Sequence, residues 1–198
     1  MKTTKSQLNS ALQTVTRRCR DTAGKAVQGL AAVGALSAAL LTFSSQEASA
    51  QSVRVLLESR DWTAYSFQEN GKTVCYIASA PTKAVGNYTK RGDIFMLVTH
   101  RPAEKLWNEV SISTGYTFKD KSEVDLAIGK QKFKFFTGGD TAWAYDTAAD
   151  QKIIDAMIKG STLKAVGYSS RGTKTTDTYS LSGFTAAYKA INTTCKKP

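Results

Sequence analysis

Histidine is close to missing from this chain, with His100 the only one. A site built on two or more imidazoles is excluded, and any Ser/His or Cys/His chemistry would rest on that one ring. Cysteine is almost as scarce. Three are present, Cys19, Cys75 and Cys195, and none has the C-x-x-C spacing of a redox pair or a zinc site. Acidic side chains are in deficit, with 16 Asp+Glu against 27 Lys+Arg and a formal net charge of +11. Glu104, Glu109, Glu123 and Asp125 contain no pair that their spacing nominates for glycosidase work. Nucleophile and phosphate motifs are lacking too. Ser180-Leu181-Ser182-Gly183 misses the G-x-S-x-G spacing, so Ser182 reads as a helix cap, and Gly138-Gly139-Asp140 reads as a turn. The one long uncharged stretch, Ala26 to Phe43, is short and rich in small residues for a membrane span.

What is present divides into two parts. Lys2, Lys5, Arg17, Arg18, Arg20 and Lys25 stand against the single acid Asp21, then the apolar stretch follows, and a polar patch ends in Ala48-Ser49-Ala50. A basic segment, an apolar segment and an A-x-A site make residues 1–50 a secretory signal peptide, with cleavage expected after Ala50 and before Gln51. Export to the periplasm or the outer membrane of a Gram-negative bacterium is the expectation, with no transmembrane segment left after cleavage. The route stays open: Thr16-Arg17-Arg18 has a twin-arginine look, but Arg20 and Asp21 follow where that signal turns apolar. Residues 51–198 remain as a single β-rich domain, long enough for a core. Removing the leader takes Asp21 and Glu47 along with its basic residues, so the rest of the chain stays basic.

Cys19 leaves with the leader. In an oxidising compartment Cys75 and Cys195 are then expected to form a disulfide closing most of the domain, a constraint of about 4–5 kcal/mol by loop entropy.

From Trp62 onward the pattern is strand, turn, strand. Trp62 to Phe67 and Lys72 to Ser79 flank Asn70-Gly71, a hairpin signal. Ile94 to Val98 is a continuous apolar run, a strand buried on both faces. Alternation marks Glu109 to Thr114, then Val124, Leu126 and Ile128, then Phe133 and Phe135 against Lys132 and Lys134, with Gly129-Lys130 as the turn between the last two. A strand carrying Trp143 follows Gly138-Gly139, and a final pair spans about 162–168 and 175–181. Thr147 with Asp150 caps a middle helix whose stripe is Ile153, Ile154, Met157 and Ile158, ended by Lys159-Gly160. A C-terminal helix begins at Ser182 or Gly183 and buries Phe184, Ala187, Tyr188 and Ile191. The predicted fold is mainly β: an antiparallel β-sandwich or partly closed barrel with one middle helix and one C-terminal helix.

Few residues carry a functional reading. Asn87-Tyr88-Thr89 is a sequon that a bacterium need not use, and Arg91-Gly92-Asp93 is an adhesion tripeptide placed where a turn leads into the buried strand. His100 at a strand end reads as bonded to a neighbouring backbone group, with an envelope hydrolase using His100 and a carboxylate as the competing idea. The basic balance admits an anionic surface as partner, although the lysines read as dispersed. Tyr65, Phe67, Tyr76 and Phe133 interleave with lysines but read as core, so no nucleic acid is expected. No metal or cofactor is implied.

Longer phrases point further. "DWTAY" at 61, "VCYIASAPTK" at 74, "RGDIFMLVTHRPAEK" at 91, "NEVSISTGYTFK" at 108, "DTAWAYDTAADQKIIDAMIKGS" at 140 and "SSRGTKTTDTYSLSGFTAAYKAI" at 169 resemble the invasion associated locus B family of exported bacterial proteins. The resemblance covers nearly all of residues 51–198. It implies an exported, non-enzymatic, β-rich protein, with no catalytic residues to carry over and an unknown protein or envelope partner. Its name comes from members linked to host-cell invasion, while many relatives belong to bacteria that invade nothing. Some members have a further cysteine near the tryptophan motif. Tyr65-Ser66-Phe67 stands there in this chain, so one bridge is expected.

Overall fold

The computed structural model describes residues 52–198, and the expected leader, with the cleavage site expected at Ala48, Ala50 and Gln51, lies outside them. Eleven strands follow in chain order. They are β1 Arg54–Ser59, β2 Trp62–Glu69, β3 Lys72–Ser79, β4 Lys83–Gly86, β5 Phe95–Arg101 and β6 Leu106–Ser113, then β7 Glu123–Ile128, β8 Gln131–Gly138, β9 Thr141–Ala144, β10 Thr162–Tyr168 and β11 Lys174–Ser180. Two helices join them, α1 Thr147–Lys159 before β10 and α2 Phe184–Thr194 after β11.

All eleven strands belong to one sheet, in the order β1-β2-β3-β5-β6-β9-β8-β7-β10-β11-β4, and every neighbouring pair is antiparallel. The mainly β expectation holds, and it narrows to one sheet that does not close into a barrel, since β1 and β4 remain separate edges. The sheet nevertheless curls strongly. In a flat sheet β2 and β11 would lie about 40 Å apart at the usual strand spacing. Instead the Trp62 indole N–H donates to the Ser180 carbonyl at 2.9 Å, and Asp61 N–H donates to the Ser182 carbonyl at 3.3 Å. Curling lets one core form from both halves of the sheet and both helices, including Trp62, Ile77, Val98, Ile112, Phe135, Leu163, Tyr179 and Phe184. The described residues belong to one compact unit, which holds this whole core.

Turn chemistry sets the hairpins. Asn70 and Gly71 both adopt positive φ, 51° and 74°, the geometry that a tight β2–β3 turn requires. The buried run is strand β5, which extends past Val98 to Arg101 and is buried from Met96 onward.

Several local expectations change. Strand β1 precedes the region where the strand pattern becomes legible, because an irregularity between Val55 and Leu57 breaks its alternation. Strand β4 is four residues long and follows Pro81, so it reads as loop from sequence. Asp146, not Thr147, caps α1, its carboxylate accepting from Ala149 N–H at 2.7 Å. Asp150 is buried and takes the Val110 N–H of β6 at 2.9 Å, so it ties helix to sheet rather than completing a capping pair. Gly183, at φ 92°, precedes α2, and Ser182 makes no side-chain cap there. A Cβ on Gly183 would fall 1.8 Å from the Ser59 carbonyl oxygen, so only glycine fits that crossing.

Candidate functional site

His100 lies fully buried in β5. Asn108 N–H donates to its Nδ1 at 3.1 Å, which fixes the proton on Nε2, and Nε2–H donates to Asn192 Oδ1 at 2.7 Å. Both nitrogens are therefore engaged by neutral partners, neither of them a carboxylate. Burial lowers the His100 pKa, with nearby Lys197 adding to it against the opposing bonds to Asn192 and the Thr99 backbone. The reading of His100 as a polar residue bonded to a backbone group describes what is seen. A hydrolase working through His100 with a carboxylate does not fit, because the ring is sealed from substrate.

Asn108 is the hub of this network. It sits in β6 at φ 62°, a left-handed conformation uncommon for a strand residue. Its Nδ2 donates to Gln151 Oε1 of α1 at 2.8 Å, and its Oδ1 accepts from the Tyr188 hydroxyl of α2 at 2.7 Å. Lys197 Nζ in turn donates to the Tyr188 oxygen at 2.7 Å. Beside it, Cys75 and Cys195 are bonded, their Cα atoms 6.1 Å apart, and Cys75 is the cross-strand partner of His100. Disulfide and imidazole thus fasten the end of α2 to the same spot on the sheet. Sequence reading missed Asn108, Asn192 and Gln151, since amides carry no spacing signal.

Arg91, Gly92 and Asp93 are not displayed as an adhesion loop. Arg91 turns inward, its side chain only 4% exposed, and grips Asp177 of β11 through two bonds of 2.7 and 2.6 Å. Its Nε donates to the Thr114 carbonyl at 2.6 Å, and the guanidinium lies over the Tyr116 ring at 4.9 Å. Burial works to lower its pKa, but the bonds to Asp177 outweigh that and raise it. Asp93 is exposed while Arg91 is withdrawn, so a receptor is not offered the pair. Gly92 does not make the expected turn. Its N–H donates to the Gly115 carbonyl at 2.9 Å, and a Cβ on Gly115 would meet the Gly92 oxygen at 2.4 Å, so the two glycines let two backbones touch.

One surface feature gathers what sequence had scattered. On the face of the sheet away from the core, the register aligns Lys132 of β8, Ala127 of β7, Lys164 of β10, Thr178 of β11 and Lys83 of β4. All three lysines are exposed. The next row holds Lys134, whose Nζ is 2.5 Å from Glu123 and 3.4 Å from Asp125, so its charge is locally balanced. Glu123 is held below the usual carboxylate range by Lys134 first and by the Tyr145 hydroxyl second. An open hollow of about 330 Å³ adjoins that row, lined in part by Lys119, Lys121 and Tyr168.

No group of His, Cys, Asp and Glu among the described residues is arranged to hold a metal ion. No helix among them is long and apolar enough to cross a membrane. The family described as Invasion associated locus B (IalB) protein matches over residues 62–192, from the tryptophan of β2 to the asparagine that bonds His100. Neither a curated protein nor a solved structure matches the chain.

Proposed function

The chain belongs to the invasion associated locus B family, and on that footing we propose that it is an exported, non-enzymatic interaction module of the bacterial envelope or periplasm. It presents a rigid, disulfide-closed β scaffold to a partner. The observation that carries this reading is the condition of its one histidine, sealed in the core with both ring nitrogens engaged. Arg91, held by two bonds to Asp177 and one to the Thr114 carbonyl, is likewise committed to a buried carboxylate. What is left for recognition is surface. A disulfide closing 120 residues suits an oxidising compartment and the leader-like residues 1–50. Host-cell invasion is one setting in which such a module would work, and the family name is its only support.

A compartment-resolved experiment tests the reading. An amine-reactive cross-linker that cannot pass the inner membrane, admitted through a permeabilised outer membrane, should join the protein to envelope neighbours. Reaction only after the inner membrane is broken would overturn it.

A further inference from the structure

We propose that the outer face of β8, β7, β10, β11 and β4 docks the protein on an anionic phospholipid surface, with Lys132, Lys164 and Lys83 meeting headgroup phosphates. This rests on the reading of the chain as an envelope protein and names the partner that the reading leaves open. The three lysines sit in one cross-strand row, each two strands from the next, which spaces them roughly 10 Å apart. Between them stand only Ala127 and Thr178, which are too short to shield them. Among the described residues no ion pair involves any of the three, whereas Glu123 and Asp125, in the two rows alongside, are both within reach of Lys134. The uncompensated charge is therefore a line across a sheet surface, and a line of cations fits a planar array of anions. A nucleic-acid strand would instead ask for successive aromatic platforms along its path.

The same face carries the apolar complement that an interface needs. Val85 stands two residues from Lys83 on β4 and is 48% exposed, while Tyr168 on β10 is 38% exposed. A tyrosine at headgroup depth, with a valine beside lysines, is the side-chain mixture of surfaces that rest on bilayers without crossing them.

The test uses residues 51–198, the unit that holds the whole core and the disulfide, so that the basic leader adds nothing. Sedimentation with phosphatidylcholine vesicles, with and without phosphatidylglycerol, reads the binding. The protein should sediment with the anionic vesicles alone and be released by salt. The variant Lys83→Gln/Lys132→Gln/Lys164→Gln should lose about fivefold per lysine, roughly a hundredfold in all. A charge-matched control on the helices and tail, Lys152→Gln/Lys189→Gln/Lys196→Gln, should bind nearly as well as the parent. Equal losses in the two variants, or equal binding to neutral vesicles, would overturn the proposal. Binding of an oligonucleotide without binding of vesicles would also overturn it, in favour of a soluble polyanion. The outcome does not depend on where cells keep the protein, so a cytoplasmic location would remove the proposed function and leave the vesicle result standing.

Discussion

Single side chains in this molecule hold distant pieces of chain together, and their removal is expected to cost accordingly. Arg91 and Asp177 lie 86 residues apart in sequence and pair in near-complete burial. Asp177→Asn leaves the guanidinium without its counter-charge, and a loss of about 3–5 kcal/mol is expected in denaturant unfolding. A loss within a few tenths would show that the pair is dispensable. His100 makes a pH prediction. Its folded pKa is lowered, chiefly by burial, while the unfolded chain titrates near the ordinary value of about 6.5, so the unfolded state takes up its proton first. The stability contributed by the neutral ring is complete above that pH and drains as pH falls toward the folded value. Protonated Nδ1 would also face the Asn108 N–H, donor against donor. Unfolding curves across this range should fall for the parent and flatten for His100→Phe relative to their values at neutral pH, whereas parallel curves would contradict the assignment. Of these residues, sequence marked His100 and Arg91 but misread Arg91, because a tripeptide carries no record of the acid waiting on another strand. Gly92 was misread for the same reason, its partner Gly115 being invisible from its own neighbourhood.

Elements show a sharper division between what local chemistry dictates and what tertiary contact decides. Strands with clean alternation, such as β7, and the helices were legible, since burial on one face is written into the spacing. The expected α1 stripe is nevertheless one residue too wide: Ile153, Ile154 and Met157 are buried while Ile158 is 41% exposed. Strands β1 and β4 were not. One is irregular and the other is four residues long, so neither has a period to read. The two carboxylates at the start of α1 separate the local from the tertiary. Asp146→Ala removes a helix cap and should cost about 1 kcal/mol. Asp150→Ala strands the buried Val110 N–H and should cost more, about 1–3 kcal/mol. Thermal melts of the two variants decide it, and the opposite ranking would contradict the roles given. Helix α2 is fastened by both covalent and polar bonds. Cys75→Ser/Cys195→Ser should lower stability by about 4–5 kcal/mol. Hydrogen exchange should rise first along α2 and the strands beneath it, and uniform acceleration would argue that the helix is held by packing alone.

At the scale of the whole molecule, the sheet's two faces have different tasks. The inner face and both helices build one core beside which His100, Asn108 and Tyr188 are bonded in one network, and the outer face offers charge. That second property was not readable from sequence, where Lys83, Lys132 and Lys164 are far apart and become a row only through strand order. The export reading rests on residues 1–50 and on the cysteines, while the scaffold reading rests on the fold. The two meet in the condition of the protein inside its own cell. The most direct measurement is the N-terminal residue and thiol state of the native protein, taken from fractionated cells by mass spectrometry after alkylation without reduction. The account predicts a chain beginning at Gln51, in the envelope or periplasmic fraction, with Cys75 and Cys195 unalkylated until a reductant is added. A full-length chain in the cytoplasm with both thiols alkylated would contradict it.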